Sequence, residues 1–419
     1  MTTSSAPASL RRLHPFVLGI AFLSTYYVAL LGPILPAITG PLGGDALAIG
    51  LLFSTYSLAQ FLTAPVLGAL GDRYGRRTIL VLSILGALVG FCIFTVGAAT
   101  GAGIWVLFLG WIIVGACDCW IATAFSYVAD TTQPGTRTRF FAFLTAAIGS
   151  AFIVGPATSG LFSTMSPVTP LFILLALLSA ALVWGFFSMP ESLPPAQRAT
   201  SLHAAEMNPL SQLRDILGFP QLRLLLLSYL LFWPSVIALS SNVPTLMAES
   251  AAWDTGRIAS ILVIYGVLVV AVQLGVIPFL AQRFRAIQLA VGGAALAVAA
   301  FIAIATFAVT AATPLIYLGV VLFGLGQPLV QTSLTAAMSE SMDAHTQGRV
   351  QGAVAATMAL AQVIGPLIIG WLYQAAGPVV AYATIAVQIV VAMALMLLAI
   401  PNLARAMDRQ GALPVQHPA

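Results

Sequence analysis

One carboxylate stands where hydrocarbon is expected. Residues 103–130, GIWVLFLGWIIVGACDCWIATAFSYVAD, are long and apolar enough to cross a bilayer, and Asp118 interrupts them. An acidic group at the bilayer centre costs about 2.5–3.5 kcal/mol on insertion scales, so a residue there calls for a function. Read as one continuous helix, this stretch aligns Trp111, Gly115, Asp118 and Ala122 on a single face. Three chemistries are open to the group. It can load and release a proton, pair with a cationic solute, or stay protonated and inert in a hydrogen bond. The flanking Cys117 and Cys119 point to different sides of a helix and have no histidine nearby, so no metal site is expected. With Cys92 they make an odd, apolar set that does not resemble a disulfide framework.

Other polar side chains recur inside apolar runs: Ser24, Tyr27, Trp111, Tyr229, Trp233, Asn242, Gln327 and Gln331. Aromatic rings mixed with neutral amides and hydroxyls suit an amphipathic, weakly charged small molecule. These residues are the substrate-cavity candidates.

The elements that position them follow from composition. Of 419 residues, 60% are hydrophobic and only 7% are charged, too few to clothe a water-soluble protein of this length. Lipid is the expected solvent. Twelve apolar spans are predicted, at 15–38, 47–70, 78–99, 103–128, 140–163, 167–188, 222–247, 256–280, 287–309, 313–337, 350–373 and 377–400. The first is read as an uncleaved membrane helix rather than a signal peptide. The polar stretch between the sixth and seventh spans divides the chain into a bundle at 1–189, a cytoplasmic linker at 190–220, and a bundle at 221–419 ending in a short cytoplasmic tail. The fold class is all-α integral membrane, with two six-helix bundles.

The net charge is +4, and all 16 basic residues are arginine. They are dispersed between spans rather than gathered into a nucleic-acid-binding face. With twelve crossings every arginine except Arg257 falls on one side, so both termini are expected in the cytoplasm and the chain in the cell inner membrane. No nucleotide-binding motif, spaced histidine cluster or Ser/His arrangement points to an enzyme.

The halves echo each other 210 residues apart. Arg73 pairs with Arg283, Asp130 with Glu340, and Arg139 with Arg349. Gly155, Pro156 and Gly160 pair with Gly365, Pro366 and Gly370. Duplicated bundles with a site near mid-membrane are a transporter device. The loop GDRYGRR has its own logic. Gly71 and Gly75 permit a tight turn, while Asp72 can meet an arginine or a helix N-terminus. The alternative is a cluster that merely sets topology. In span five, Gly149, Gly155 and Gly160 allow close helix approach and Pro156 allows a bend.

GALGDRYGRRTIL at 68–80 resembles the loop motif of the major facilitator superfamily, with Gly68, Leu70, Asp72, Arg73, Gly75, Arg76, Arg77 and Leu80 fitting it. GSAFIVGPATSG at 149–160 resembles the superfamily's antiporter signature, with Ser159 in place of a glycine. YVADTTQPGTRTRFFAF, MPES and HTQGRVQGAVAA resemble the drug:proton antiporter branch, the tetracycline-resistance type. The resemblance implies a cytoplasmic gate made by the loop residues together with Asp130, and a central cavity lined by span four. It implies alternating-access export of a drug-like or metabolite-like molecule, driven by the proton gradient with no cofactor, by a monomer in the lipid bilayer. Asp118 is then the proton-coupling candidate. Uptake by proton symport, or a membrane receptor that does not transport, is the alternative. The sequence departs from the tetracycline exporters at three charged positions, which read here as Ser24, Trp111 and Val269.

Overall fold

A computed structural model describes residues 15–132, 134–202, 207–209, 222–340 and 347–411. Arg11, Arg12, Arg214, all four histidines and the linker residues 203–206 and 210–220 lie outside them, as do the side chains of Arg137, Arg349, Arg405 and Arg409.

The described chain is helical. In order run α1 (Pro15–Thr39), α2 (Ala46–Tyr74), α3 (Arg76–Thr100), α4 (Ile104–Cys117), α5 (Trp120–Thr131), α6 (Pro134–Phe162) and α7 (Thr169–Ser188). Then come α8 (Arg223–Ala251), α9 (Thr255–Leu280, with a π turn at Val272–Val276), α10 (Ala286–Thr310), α11 (Thr313–Glu340) and α12 (Gln347–Gly411). Among the described residues eleven helical stretches are long and apolar enough to cross a membrane. The last, Val350–Pro401, has 52 residues. At ~1.5 Å per residue that is roughly twice what one crossing of a ~30 Å hydrocarbon layer requires. Gly377, at φ 85°, breaks it into two, which restores the expected twelve. Large side chains such as Leu82, Leu109, Val183, Phe186, Val387 and Leu398 stand more than half exposed. A water-soluble surface does not present so much apolar area, whereas a lipid-facing wall does.

The chain forms two compact units. The first comprises Met1–Pro209 with Ser240–Val267, and the second Leu210–Leu239 with Leu268–Ala419. In the first, α1 packs on α6, and α4 packs between α2 and α3. The last part of α8 and the first part of α9 belong to this unit, and small residues allow their approach. A Cβ on Gly32 would meet the Ser240 carbonyl at 2.9 Å, and one on Gly266 the Phe152 carbonyl at 2.5 Å. In the second unit, α10 packs on α11 and α12.

Close backbone approach between helices is a device of both units. Gly90 and Gly110 place α3 against α4 so that either added Cβ would lie 2.5–2.7 Å from the other residue's carbonyl oxygen. Gly293 and Gly326 do the same for α10 and α11. With no hydrophobic drive between helices in lipid, such contact supplies van der Waals packing instead. Gly110→Ala is therefore expected to destabilise by about 1–3 kcal/mol, the usual cost of overpacking. Gly292→Ala, with nothing within 4 Å of its added Cβ, should be neutral or slightly stabilising. Thermal unfolding of both purified variants in detergent checks this, and equal shifts would refute it.

Candidate functional site

Span four departs from the expected single helix. α4 ends at Cys117, Asp118 leaves the helical conformation (φ −86°, ψ 88°), and α5 restarts at Trp120. The helical face therefore ends at Gly115, and Asp118 does not continue the row from Trp111 to Ala122. The reason is local. The Asp118 amide folds back to the Gly115 carbonyl at 3.1 Å and the Cys119 amide to the Cys117 carbonyl at 3.1 Å, so the ladder tightens and stops. Non-helical backbone at membrane depth is tolerated only where protein buries and satisfies it.

Satisfaction comes from α2. Gln60 donates its side-chain amide to the Asp118 carbonyl (3.3 Å) and to its carboxyl Oδ2 (3.0 Å). The Tyr56 hydroxyl donates to the same Oδ2, and the Tyr27 hydroxyl on α1 lies 3.2 Å from that of Tyr56. The carboxyl stands two residues before Trp120, the first residue of α5, at a helix N-terminus that favours negative charge. Asp118 is only 6% exposed. Three helices thus converge on one carboxyl through a Tyr27–Tyr56–Asp118 chain of hydroxyls and a bracing Gln60.

The wall behind this chain is aromatic. Tyr56 stacks on Trp111 at 4.7 Å, and Trp111 meets Tyr27, Phe91 and Phe94 at 5.7–6.2 Å. The Gly115 Cα faces the Tyr56 main chain, where a Cβ would collide with its carbonyl. Trp111, a cavity candidate by sequence, is 2% exposed and forms the centre of this packing. Ser24 donates to its own helix at Ala21 (3.0 Å). Asn242 donates to the Ala46 carbonyl (3.2 Å) and accepts from Ser241 (2.7 Å), which commits its amide to the join between α8 and the start of α2. In the second unit Tyr229 stacks on Trp233 at 5.5 Å, and Gln327 donates to Gln331 at 2.5 Å. The indole N–H of Trp233 and the Gln327 carbonyl oxygen are buried with no protein partner among the described residues.

The loop cluster is built around Arg76. Its guanidinium pairs with Asp72 at 2.6 Å and with Asp130 at 3.4 Å, uniting the ends of α2, α3 and α5. Arg77 donates to the Phe186 carbonyl at 2.5 Å. Arg73 instead lies over the Tyr74 ring (5.5 Å), and an added Cβ on Gly68 would face open space. Gly75 makes the turn at φ 104°, while Gly71 stays helical. The sequence reading passed over Glu191. After α7 the chain turns back, and Glu191 Oε1 accepts from the amides of Arg76 (2.9 Å), Ser192 (3.0 Å) and Leu193 (3.1 Å). Its other oxygen lies 3.8 Å from Arg198. A carboxylate thus caps the N-terminus of α3 from another helix, where the macrodipole favours it. The MPES stretch held this signal, but only as a family resemblance.

In span five two of the three motif glycines lie close to neighbouring helices. Added Cβ atoms would meet Ala29 on α1 at 2.9 Å from Gly155, and Ala259 on α9 at 2.8 Å from Gly160. Gly149 and Pro156 lie within the same helix, α6. Ser159, where the resembling motif has glycine, donates to the Leu30 carbonyl at 2.5 Å. No group of three or more His, Cys, Asp or Glu among the described residues is placed to hold a metal ion.

Comparison with known proteins gives these clusters a family. The Major Facilitator Superfamily model matches residues 17–361. The chain is 31% identical over 369 residues to the class C tetracycline resistance protein of Escherichia coli, covering 86% of this chain and 89% of that one. It is 27% identical over 369 residues to multidrug resistance protein 2 of Bacillus subtilis (strain 168), covering 85% and 88%. Its fold matches the crystal structure of the human organic anion transporter MFSD10 with a TM-score of 0.68 at 22% identity, over 94% of this chain and all of that one. This multi-pass membrane protein is a transporter rather than an enzyme, and it belongs to the Major Facilitator Superfamily.

Proposed function

We propose that this transporter is a proton-coupled antiporter that exports an amphipathic, drug-like or metabolite-like molecule by alternating access. It works as a monomer in the cell inner membrane with both termini in the cytoplasm, and the proton gradient is its energy source, with no cofactor. Bundles 1–189 and 221–419, joined by the linker 190–220, are its two moving halves. The single observation that carries this reading is the Asp118 carboxyl, buried at a break in span four and bound only by neutral donors. When ionised it accepts from Tyr56 and Gln60. When protonated its own O–H must donate a hydrogen bond to one of the neighbouring oxygens, so the hydroxyl chain reorders at each turn of the cycle. The carboxyl and the Tyr56–Tyr27 pair form a path for one proton. Similarity to tetracycline resistance and multidrug resistance proteins supports export of a drug-like cargo. Ser24, Trp111 and Val269 leave out the charges that a metal–tetracycline complex needs, so the cargo is expected to be a different, weakly charged molecule. Trp233 and Gln327 offer it an N–H donor and a carbonyl acceptor.

In inverted vesicles with an imposed pH gradient, a panel of dyes, drugs and siderophore-like compounds should contain at least one that dissipates the gradient. Asp118→Asn should bring that flux to background. Full proton-coupled flux in the variant would remove Asp118 from the proton path, and a panel without effect on the wild type would remove antiport.

The loop cluster serves as the cytoplasmic gate in this cycle. Arg76 holds two carboxylates on different helices, whereas Arg73 holds none among the described residues. Arg76→Ala is therefore expected to cut transport rate about tenfold at equal expression, with Arg73→Ala near wild type, since a hydrogen bond to a charged group is worth ~1.5–3 kcal/mol. Equal losses in the two variants would mean the arginines set topology only.

A further inference from the structure

The second unit contains a cavity of about 530 Å³ at the ends of α9, α10, α11 and α12. Arg283, Arg285, Ser333, Glu340 and Ile400 are among the residues that line it. By the 210-residue repeat this cavity is the counterpart of the Arg76 cluster, and the comparison shows what differs. In the first unit Arg76, Tyr127 and Glu191 fill the space. Tyr127 donates to the Pro190 carbonyl at 3.3 Å, and Glu191 caps α3. Their counterparts are Ala286, Ala337 and Pro401, which carry neither charge nor ring hydroxyl. Both alanines line the cavity, with Ile287 beside Ala286 at the start of α10. The leading amides of a helix have no acceptor within it. At α10 the Gln288 side chain accepts only from the Arg285 amide (3.0 Å), and among the described residues no carboxylate stands where Glu191 meets the first amides of α3, so the amides of Ala286 and Ile287 are the ones left for a ligand.

The remaining groups select for negative charge. Two guanidiniums against the one exposed carboxylate of Glu340 leave the lining net positive. Arg283 is held over the Phe279 ring at 4.5 Å, which fixes its guanidinium at the end of α9. Ser333, 3% exposed, adds a hydroxyl-bearing residue to the lining. Around these polar groups stand exposed apolar side chains, Phe284 and Ile400 in the lining and Phe279 beside it.

We propose that this cavity binds a phosphate group, held by Arg283, Arg285 and the first amides of α10, which takes the place that Glu191 fills in the other half. The exposed apolar rim favours a phospholipid head group as the source, and a soluble phosphate is the other.

The test uses the full chain in nanodiscs of phosphatidylcholine doped with phosphatidylglycerol, with co-purifying lipid counted by native mass spectrometry. Phosphatidylglycerol should be retained over phosphatidylcholine. Retention should fall about tenfold or more in R283Q/R285Q, as expected for loss of charge-assisted hydrogen bonds. Ala337→Tyr, which restores the filling ring without touching charge, should lower it similarly, while Ala337→Ser should not. Displacement of the lipid by millimolar inorganic phosphate, with the same variant pattern, would keep the phosphate site and assign it to a soluble ligand. Wild-type retention in both R283Q/R285Q and Ala337→Tyr, each confirmed as folded by circular dichroism, would overturn the proposal. Because these readouts need no proton flux, they stand or fall apart from antiport.

Discussion

A carboxyl group and a broken main chain share one point inside a helix that crosses lipid, and the packing of the first unit is organised around satisfying both. In hydrocarbon each unmet backbone group costs several kcal/mol, so a break at Asp118 survives only with dedicated partners. Gln60 serves two of them, the carbonyl and the carboxyl, from a single side chain. That bond requires α2 to lie against the break, and Gly115 permits it because the Tyr56 main chain sits where any Cβ would be. The aromatic group centred on Trp111 then excludes lipid from the polar chain. Asp118, Gln60, Tyr56, Gly115 and Trp111 are thus one device, and changing any of them disturbs the others.

The duplicated halves divide the remaining labour unequally. In the first unit the end of α3 is tied by ion pairs and a capping carboxylate from the chain's return after α7. In the second unit the corresponding end of α10 has neither the tyrosine nor the glutamate, and the helix after Gly377 runs on as far as Gly411 instead of turning back. A repeat that began symmetrical can lose a tie on one side if something outside the chain replaces it.

The crossings were legible in the sequence because hydropathy alone determines them: about 20 apolar residues suffice, and arginine spacing fixes the count. The break in span four was not legible. Its residues are Cys, Asp and Cys, with neither the proline nor the glycine that usually marks a stop, and the groups that satisfy the break lie on α2, far away in sequence. Ser159 shows the same limit. Its position looked like a defect in a glycine motif until its hydroxyl was found on the Leu30 carbonyl. Glu191 was missed for a topological reason, because its role exists only after the chain reverses and meets α3. Arg76, Asp72 and Asp130 were legible, since their charges lie at the ends of spans that must meet.

The proposed cycle couples a proton without an ion pair. At two of the three charged positions where the chain departs from the tetracycline-type pattern stand a serine closed on its own helix and a tryptophan in an aromatic core. One carboxyl remains, seven residues further along span four. A buried charge with no counter-ion is costly, while a neutral hydrogen-bonded acid is not. In the proposed cycle the ionised form is therefore supported only while water reaches Asp118, and closing the site around it favours the protonated form. Access and protonation become one variable. In that cycle Tyr56 and Gln60 donate to the ionised carboxyl, and with no ion pair to fix it among the described residues, the proton returns when the opposite side opens.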